Sequence, residues 1–211
     1  IRDRAGIGKS SLLRRFLATR RDRIGSATLT FIASPFHTDT PFYPLVSPLR
    51  GLARLAPGQD WPDALIRLRH WLGDEGAEID ERAAALAELL LGGSGEAGAR
   101  PAALAAMAPR RLRGLTLAAL LDQLTRLSAR QPLCLVVEDL HWLDPSSMEL
   151  LERALSRLPG RCLLLLTSRE AFAPPATPTW NDVELLDLRP LSEPDMVQLV
   201  ESVAGSAACL L

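Results

Sequence analysis

A glycine-rich loop near the start of the sequence has the composition of a phosphate-binding site. It runs from Ala5 to Ser10 and leads into apolar residues at helical spacing, so the loop precedes a helix N-terminus. Backbone N–H groups in a tight glycine turn converge on an anion there, and the helix dipole strengthens the attraction. Gly6 and Gly8 permit this backbone, while the side chain of Lys9 would reach the outer phosphates. The Ser10 hydroxyl would coordinate Mg²⁺. The alternative is an ordinary turn between a strand and a helix.

Lys9 is also distinctive in the overall composition. Of the 24 basic residues it is the single lysine, and the remaining 23 (24 − 1) are arginines. A lysine kept in such a background indicates a site that needs a compact ammonium group instead of a planar guanidinium. The alternative is that one lysine persisted by chance.

Two acids follow a continuous apolar run that begins after Pro132. The run LCLVV is typical of a strand buried on both faces of a parallel sheet, and Glu138 and Asp139 come at its end. Acids at the carboxyl end of a parallel strand lie at the ligand-binding edge of the sheet. We assign Glu138 to the Mg²⁺ shell and Asp139 to the attacking water, although sequence alone allows the two roles to be exchanged. A solvated strand end is the alternative.

A third polar group, Thr167 to Arg169, follows another apolar run, LLLL. Its place predicts a position between the acids and the glycine loop, where Arg169 would detect a γ-phosphate. The alternative is a surface arginine in a loop.

The elements that must position these residues alternate between strand and helix. Apolar runs predict strands at 28–33, 133–137, 161–168 and 183–188. Helical spacing predicts helices within 45–91, at 112–127 and at 193–203, and a further helix that begins at Pro145 with Asp144 as its cap. This alternation predicts an α/β fold, a three-layer α/β/α sandwich around a mostly parallel sheet.

Composition excludes several classes of function. The net charge of −1 gives no overall attraction to nucleic acid or anionic lipid, and no apolar run is long enough to span a bilayer. Cys134, Cys162 and Cys209 have no metal-binding spacing, and we interpret the first two as small buried hydrophobes in a reducing cytoplasm.

Taken together, the segments AGIGKS, LVVEDLHWLDPSSMELL, LLLLTSRE and LRPLSEPD resemble the STAND branch of P-loop ATPases, often described simply as an AAA-type ATPase domain. SPFHTDTPFYPL and the later stretch that ends at Trp180 look most like the module found beside class III nucleotide cyclase domains. A similar module occurs in large LuxR-type regulators. The resemblance covers nearly all of residues 1–211 and is weakest at about 57–110, which we interpret as a helical insertion.

The resemblance implies ATP and Mg²⁺ as ligands and assigns residues to them. Phosphate contacts are implied for Ala5, Gly6, Ile7, Gly8, Lys9, Ser10 and Ser11. Mg²⁺ binding is implied for Ser10 and Glu138, and catalytic roles for Glu138, Asp139 and the sensor Arg169. His141, Trp142 and Asp144 also match the family, without a known physical role; we interpret Trp142 as a packing residue.

The function that the resemblance implies is ATP binding and slow hydrolysis, used as a nucleotide-dependent switch in a multidomain signalling or regulatory protein. The expected partners are ATP or ADP and attached cyclase, DNA-binding or repeat domains, with nucleotide-dependent self-association. We expect a cytoplasmic protein without membrane contact, whose ATPase domain does not itself touch nucleic acid.

Three departures from the family pattern bear on this interpretation. Asp3 stands where the first loop glycine is expected, the first strand is truncated to Ile1 and Arg2, and the C-terminal lid is missing. A carboxylate about 6 Å from a phosphate costs roughly 3 kcal/mol at an effective dielectric near 20, which is on the order of a hundredfold in affinity. The alternative function is therefore a degenerate nucleotide-binding module that serves as a scaffold, although the retained Lys9, Ser10 and acid pair argue against decay.

Overall fold

A three-stranded parallel sheet forms the centre of the fold. The computed structural model describes residues 1–2, 6–24, 27–73, 76–92, 101–158, 162–169, 180 and 183–208. Its strands are β1 (Ala27–Ile32), β2 (Leu133–Glu138) and β3 (Cys162–Leu166), which lie side by side in that order. The predicted α/β class with a parallel sheet is confirmed.

The central strand β2 explains why its sequence is apolar without interruption. Side chains of a strand alternate between the two faces of a sheet, and here both faces are covered. Leu135 and Val137 belong to the large core on one face, and Cys134 and Val136 belong to a smaller cluster on the other. Every position from 133 to 137 is buried.

Helices on both faces complete the three layers. In chain order they are α1 (Lys9–Ile24), α2 (Tyr43–Leu52), α3 (Trp61–Leu72), α4 (Ala77–Leu91), α5 (Ala102–Ala105), α6 (Pro109–Arg130), α7 (Pro145–Arg157) and α8 (Glu193–Ala208). Helix α1 covers one face through Leu13, which packs on Cys134 and Val136. Helices α2, α6 and α7 contribute to the large core on the opposite face. None of the helices described is both long and apolar enough to cross a membrane.

The described part of the segment of weakest resemblance is mostly helical, as its spacing predicts. Helix α3 packs on α4, and α4 packs on α6, so these helices extend the large core away from the sheet. Trp61, Leu68 and Leu86 are buried there. The interpretation of residues 57–110 as an insertion stays a prediction.

Ile1 and Arg2 lie beyond the third strand, in line with the sheet. The Ile1 ammonium donates to the Leu166 carbonyl at 2.7 Å, and the Ser168 amide donates to the Ile1 carbonyl at 3.0 Å. On the other side the Arg2 amide donates to the Leu186 carbonyl at 2.9 Å. The two residues therefore lie between the end of β3 and the segment 183–188.

The prediction of a strand at 183–188 is wrong. In the described part of this segment, Asp187 forms one isolated parallel bridge with Arg2, supported by an ion pair at 2.9 Å. A strand needs a paired neighbour along its length, and the described residues 1 and 2 offer two residues of partner backbone. Leu185 and Leu186 are accordingly exposed.

A groove of about 620 Å³ lies beside Ile1 and Arg2. Leucines of α1, of β3 and of the segment 183–186 contribute to its wall. Leu163 of β3 lies on this open side and is 40% exposed. The sheet is thus closely packed between β1 and β3 and loosely packed beyond β3.

Candidate functional site

The glycine loop enters α1 through two residues in left-handed backbone conformations. Gly6 has φ +81° and Gly8 has φ +101°. A Cβ at either position would meet no atom within 4 Å, so the need for glycine comes from the backbone angle and not from crowding. The Gly8 carbonyl accepts from the Leu12 amide at 2.8 Å, and α1 begins at Lys9. Backbone amides in the first turn of a helix are suited to an anion.

The side chains of the loop differ in exposure. Lys9 is 8% exposed, which is low for an ammonium group and indicates that the protein surrounds it. Ile7 and Ser10 are half-buried, whereas Ser11 is exposed on the first turn of α1. Ala5, predicted to contact phosphate, and Asp3 lie outside the described residues.

The two acids lie at the end of β2, at the same edge of the sheet as the start of α1. Glu138 is the last residue of the strand and half-buried. Asp139 has left-handed backbone angles, φ +57° and ψ +45°, a conformation that aspartate tolerates better than most residues. The chain turns there into a short 3₁₀ helix, Leu140–Trp142.

Thr167, directly after β3, holds the turn at Asp139 in place. Its hydroxyl accepts from the Asp139 amide at 3.1 Å, and its carbonyl accepts from the Leu140 amide at 2.9 Å. Its own amide donates to the Val137 carbonyl at 2.9 Å, and its side chain is 1% exposed. The motif at 167–169 thus borders the acids, as its position in the sequence predicts.

Arg169 is exposed and lies over the 3₁₀ turn. Its guanidinium carbon is 5.6 Å from the centroid of the Trp142 ring, within range of a cation–π contact. Trp142 is half-buried and therefore provides a surface for Arg169 beyond the packing role predicted for it.

The pKa of His141 depends on burial and on the charges around the ring. Burial lowers the pKa of this imidazole, Asp139 opposes that change, and the positive charges of Arg169 and Lys9 lower the pKa further. Coulombic effects fall off with distance. Three predicted site residues from three distant parts of the sequence therefore lie close enough to influence one side chain.

Sequence reasoning left His141 without a role. The sequence feature that could have pointed to a role for His141 is its place two residues after Asp139, in the most specific of the motifs. Its importance depends on the meeting of segments that are far apart in sequence, and one motif alone does not reveal this.

Asp144 caps α7, as predicted, and also binds a distant loop. Its buried carboxylate accepts from the amides of Ser146 and Ser147 at 3.0 Å each. The Ser147 hydroxyl donates to it at 2.6 Å, and the Phe42 amide donates at 3.0 Å across 102 positions of sequence. The loop after β1 is thereby attached to the segment that follows the acids.

The donor set is compatible with Mg²⁺ bound together with a nucleotide. The described residues contain no cluster of three or more His, Cys, Asp or Glu side chains suited to a metal ion. Mg²⁺ usually binds through one or two carboxylates together with substrate phosphates, so a large cluster is not needed. No hydrogen bond within the described ranges joins the Ser10 hydroxyl to Glu138 or Asp139. Their shared Mg²⁺ site stays a prediction.

Comparison with known proteins gives a family match. The sequence profile of the family described as "AAA ATPase domain" matches residues 4–166. An uncharacterized protein of Rhizobium meliloti (strain 1021) is 32% identical over 194 residues, covering 89% of this chain. The chain spans 17% of the length of that relative. No solved structure matches significantly.

Proposed function

The chain belongs to the AAA ATPase domain family, and we propose that it binds ATP with Mg²⁺, hydrolyses it slowly and acts as a nucleotide-dependent switch. The observation that carries the proposal is the pair of hydrogen bonds between Thr167, after β3, and the backbone of residues 139 and 140, after β2, at the edge of the sheet where the glycine loop enters α1. In addition, Lys9 from the glycine loop, Asp139 from the end of β2 and Arg169 from the segment after β3 all influence the pKa of His141. These are the residues to which the proposal assigns phosphate binding, water activation and phosphate detection.

In this proposal the glycine loop and the start of α1 bind the phosphates. Backbone amides between Gly6 and Ser11 and the Lys9 ammonium would contact phosphate oxygens. The Ser10 hydroxyl and a Glu138 oxygen would hold Mg²⁺, which supplies charge neutralisation at the phosphates when it is bound.

Hydrolysis depends on a water aligned with the terminal phosphate. Asp139 would orient this water, and its fixed backbone favours one direction for the carboxylate. Arg169 would leave its stacked position on Trp142 and pair with the terminal phosphate, so its position would differ between ATP and ADP. This difference is the switch.

The proposal extends to a larger protein of the STAND type. The relative in Rhizobium meliloti is much longer than this chain, in keeping with attached cyclase, DNA-binding or repeat domains whose activity the nucleotide would control. Nucleotide-dependent self-association belongs to the same proposal. The free thiols of Cys134 and Cys162 are in keeping with a reducing cytoplasm, and burial raises the pKa of Cys162 to about 11, which makes it unreactive.

The test is calorimetric titration of the protein with Mg-ATP and Mg-ADP. Lys9→Ala should weaken both affinities by about 10- to 100-fold, because it removes a charged donor from the phosphates. Lys9→Arg should also weaken both affinities, since a guanidinium is broader than an ammonium group and planar. The matched control is Arg15→Ala, which removes an exposed cation from the same helix. Equal affinities for the wild type and Lys9→Ala would contradict the assignment, and a wild type that binds neither nucleotide would favour the scaffold alternative.

A further inference from the structure

Both ring nitrogens of His141 are buried and have no hydrogen-bond partner among the residues that the structure describes. Buried polar atoms in proteins are nearly always paired, and an unpaired one costs about 1–3 kcal/mol. The ring itself is held from one side, where it packs on Trp142 at a centroid distance of 5.0 Å and an angle of 46°. An imidazole placed in this way keeps its full hydrogen-bonding capacity for a ligand.

The surroundings of the ring indicate which ligand chemistry it suits. Two cations, Lys9 and Arg169, and one anion, Asp139, act on it. Burial and the two cations favour the neutral imidazole, which has one N–H donor. A phosphate bound between Lys9 and Arg169 would lie beside the imidazole N–H.

The same neighbours indicate which part of the nucleotide would lie near His141. Under the proposed function, on which this inference rests, Asp139 and Arg169 act at the outer phosphate and not at the base or the ribose. A rotation of the ring about χ2 would turn a nitrogen toward that phosphate, and it would break no hydrogen bond because the ring makes none with the described residues.

We propose that His141 donates a hydrogen bond to the terminal phosphate of bound ATP and thereby makes the site prefer ATP over ADP. His141 is then a specificity-determining residue, and Trp142 positions it. Arg169 supplies charge at the same phosphate, whereas His141 supplies a directed neutral donor.

The test compares variants that separate hydrogen bonding from packing. His141→Phe keeps a flat ring against Trp142 without nitrogens, and His141→Gln keeps an N–H donor without the ring. With a slowly hydrolysed ATP analogue and ADP, each with Mg²⁺, His141→Phe should lower the ratio of the two affinities by about tenfold or more, with ADP affinity unchanged within about twofold. His141→Gln should retain part of the ratio. The exposed His70 gives the matched control, since His70→Phe should leave both affinities unchanged.

A purely structural role predicts the opposite order, with His141→Phe unaffected and His141→Gln impaired, and that result would overturn the inference. So would a wild type that binds both nucleotides equally well. A wild type that prefers ATP while His141→Phe keeps the preference would overturn the inference and leave the proposed function intact. A wild type that binds neither nucleotide would overturn both.

A second readout reports the hydrogen bond directly. The chain has three histidines, so ring ¹⁵N signals can be assigned by comparison with His141→Phe. The ATP analogue should shift a ring nitrogen of His141 and ADP should not, with His37 and His70 as internal references. Equal shifts with both nucleotides would contradict a contact with the terminal phosphate.

Discussion

At the scale of single residues, the backbone at Asp139 breaks the strand alternation between the two acids. Consecutive residues of a regular strand point to opposite faces of the sheet, so Glu138 and Asp139 would diverge if β2 continued. The left-handed turn at Asp139 ends the strand, and the hydrogen bond from its amide to Thr167 fixes the turn. The neighbouring carboxylates can therefore take different roles at one ligand.

The separate roles predict different defects for two isosteric substitutions. Asp139→Asn should slow hydrolysis far more than it weakens ATP binding, because an amide is a poor group to orient and polarise the water. Glu138→Gln should instead weaken Mg²⁺-dependent binding. Single-turnover hydrolysis and Mg²⁺ titration of nucleotide affinity measure the two effects. The reverse pattern would exchange the assignments.

At the scale of elements, local patterns predicted β1, β2, β3 and the capped start of α7 to within a few residues. These elements have apolar periods or cap residues that act locally, as at Asp144. The segment 183–188 has the same apolar pattern, yet it does not form a strand, because pairing depends on a neighbour and not on its own residues. For the same reason the contact between Asp144 and Phe42 could not be read from either segment.

Asp144 should contribute far more to the stability of the fold than an ordinary helix cap does. Asp144→Ala would leave three amides and one hydroxyl without their acceptor in a buried place, so we expect the free energy of unfolding to fall by about 2–4 kcal/mol. The matched control is Asp60→Ala, which removes the exposed cap of α3 with its bond to the Asp63 amide and should cost about 0.5–2 kcal/mol. Urea denaturation measures both. Equal losses would show that the bond to the Phe42 amide stabilises little.

At the scale of the whole molecule, the described residues cover the two faces of the sheet unequally. The large core joins α2, α3, α4, α6 and α7, whereas on the other face Leu13 of α1 packs with two residues of β2 next to the open groove. The glycine loop and Lys9 belong to this thinly covered side. Under the proposed function, we therefore expect nucleotide binding to depend on the packing of α1 and to be almost independent of the large core.

Two leucines of equal burial test this coupling, because Leu13 and Leu120 are each 1% exposed. Leu120→Ala opens a cavity inside the large core and should lower the free energy of unfolding by about 2–5 kcal/mol, with little change in the ATP affinity of the folded protein. Leu13→Ala should cost less, toward the lower end of that range, because its cavity borders the groove and its neighbours can relax. Leu13 lies one helical turn after Lys9 and packs α1 on β2. Loss of the Leu13 side chain therefore loosens this contact and should weaken ATP binding several-fold. Urea denaturation and calorimetric titration of both variants measure the two quantities, and ATP affinity that falls equally in both would contradict the independence of the large core.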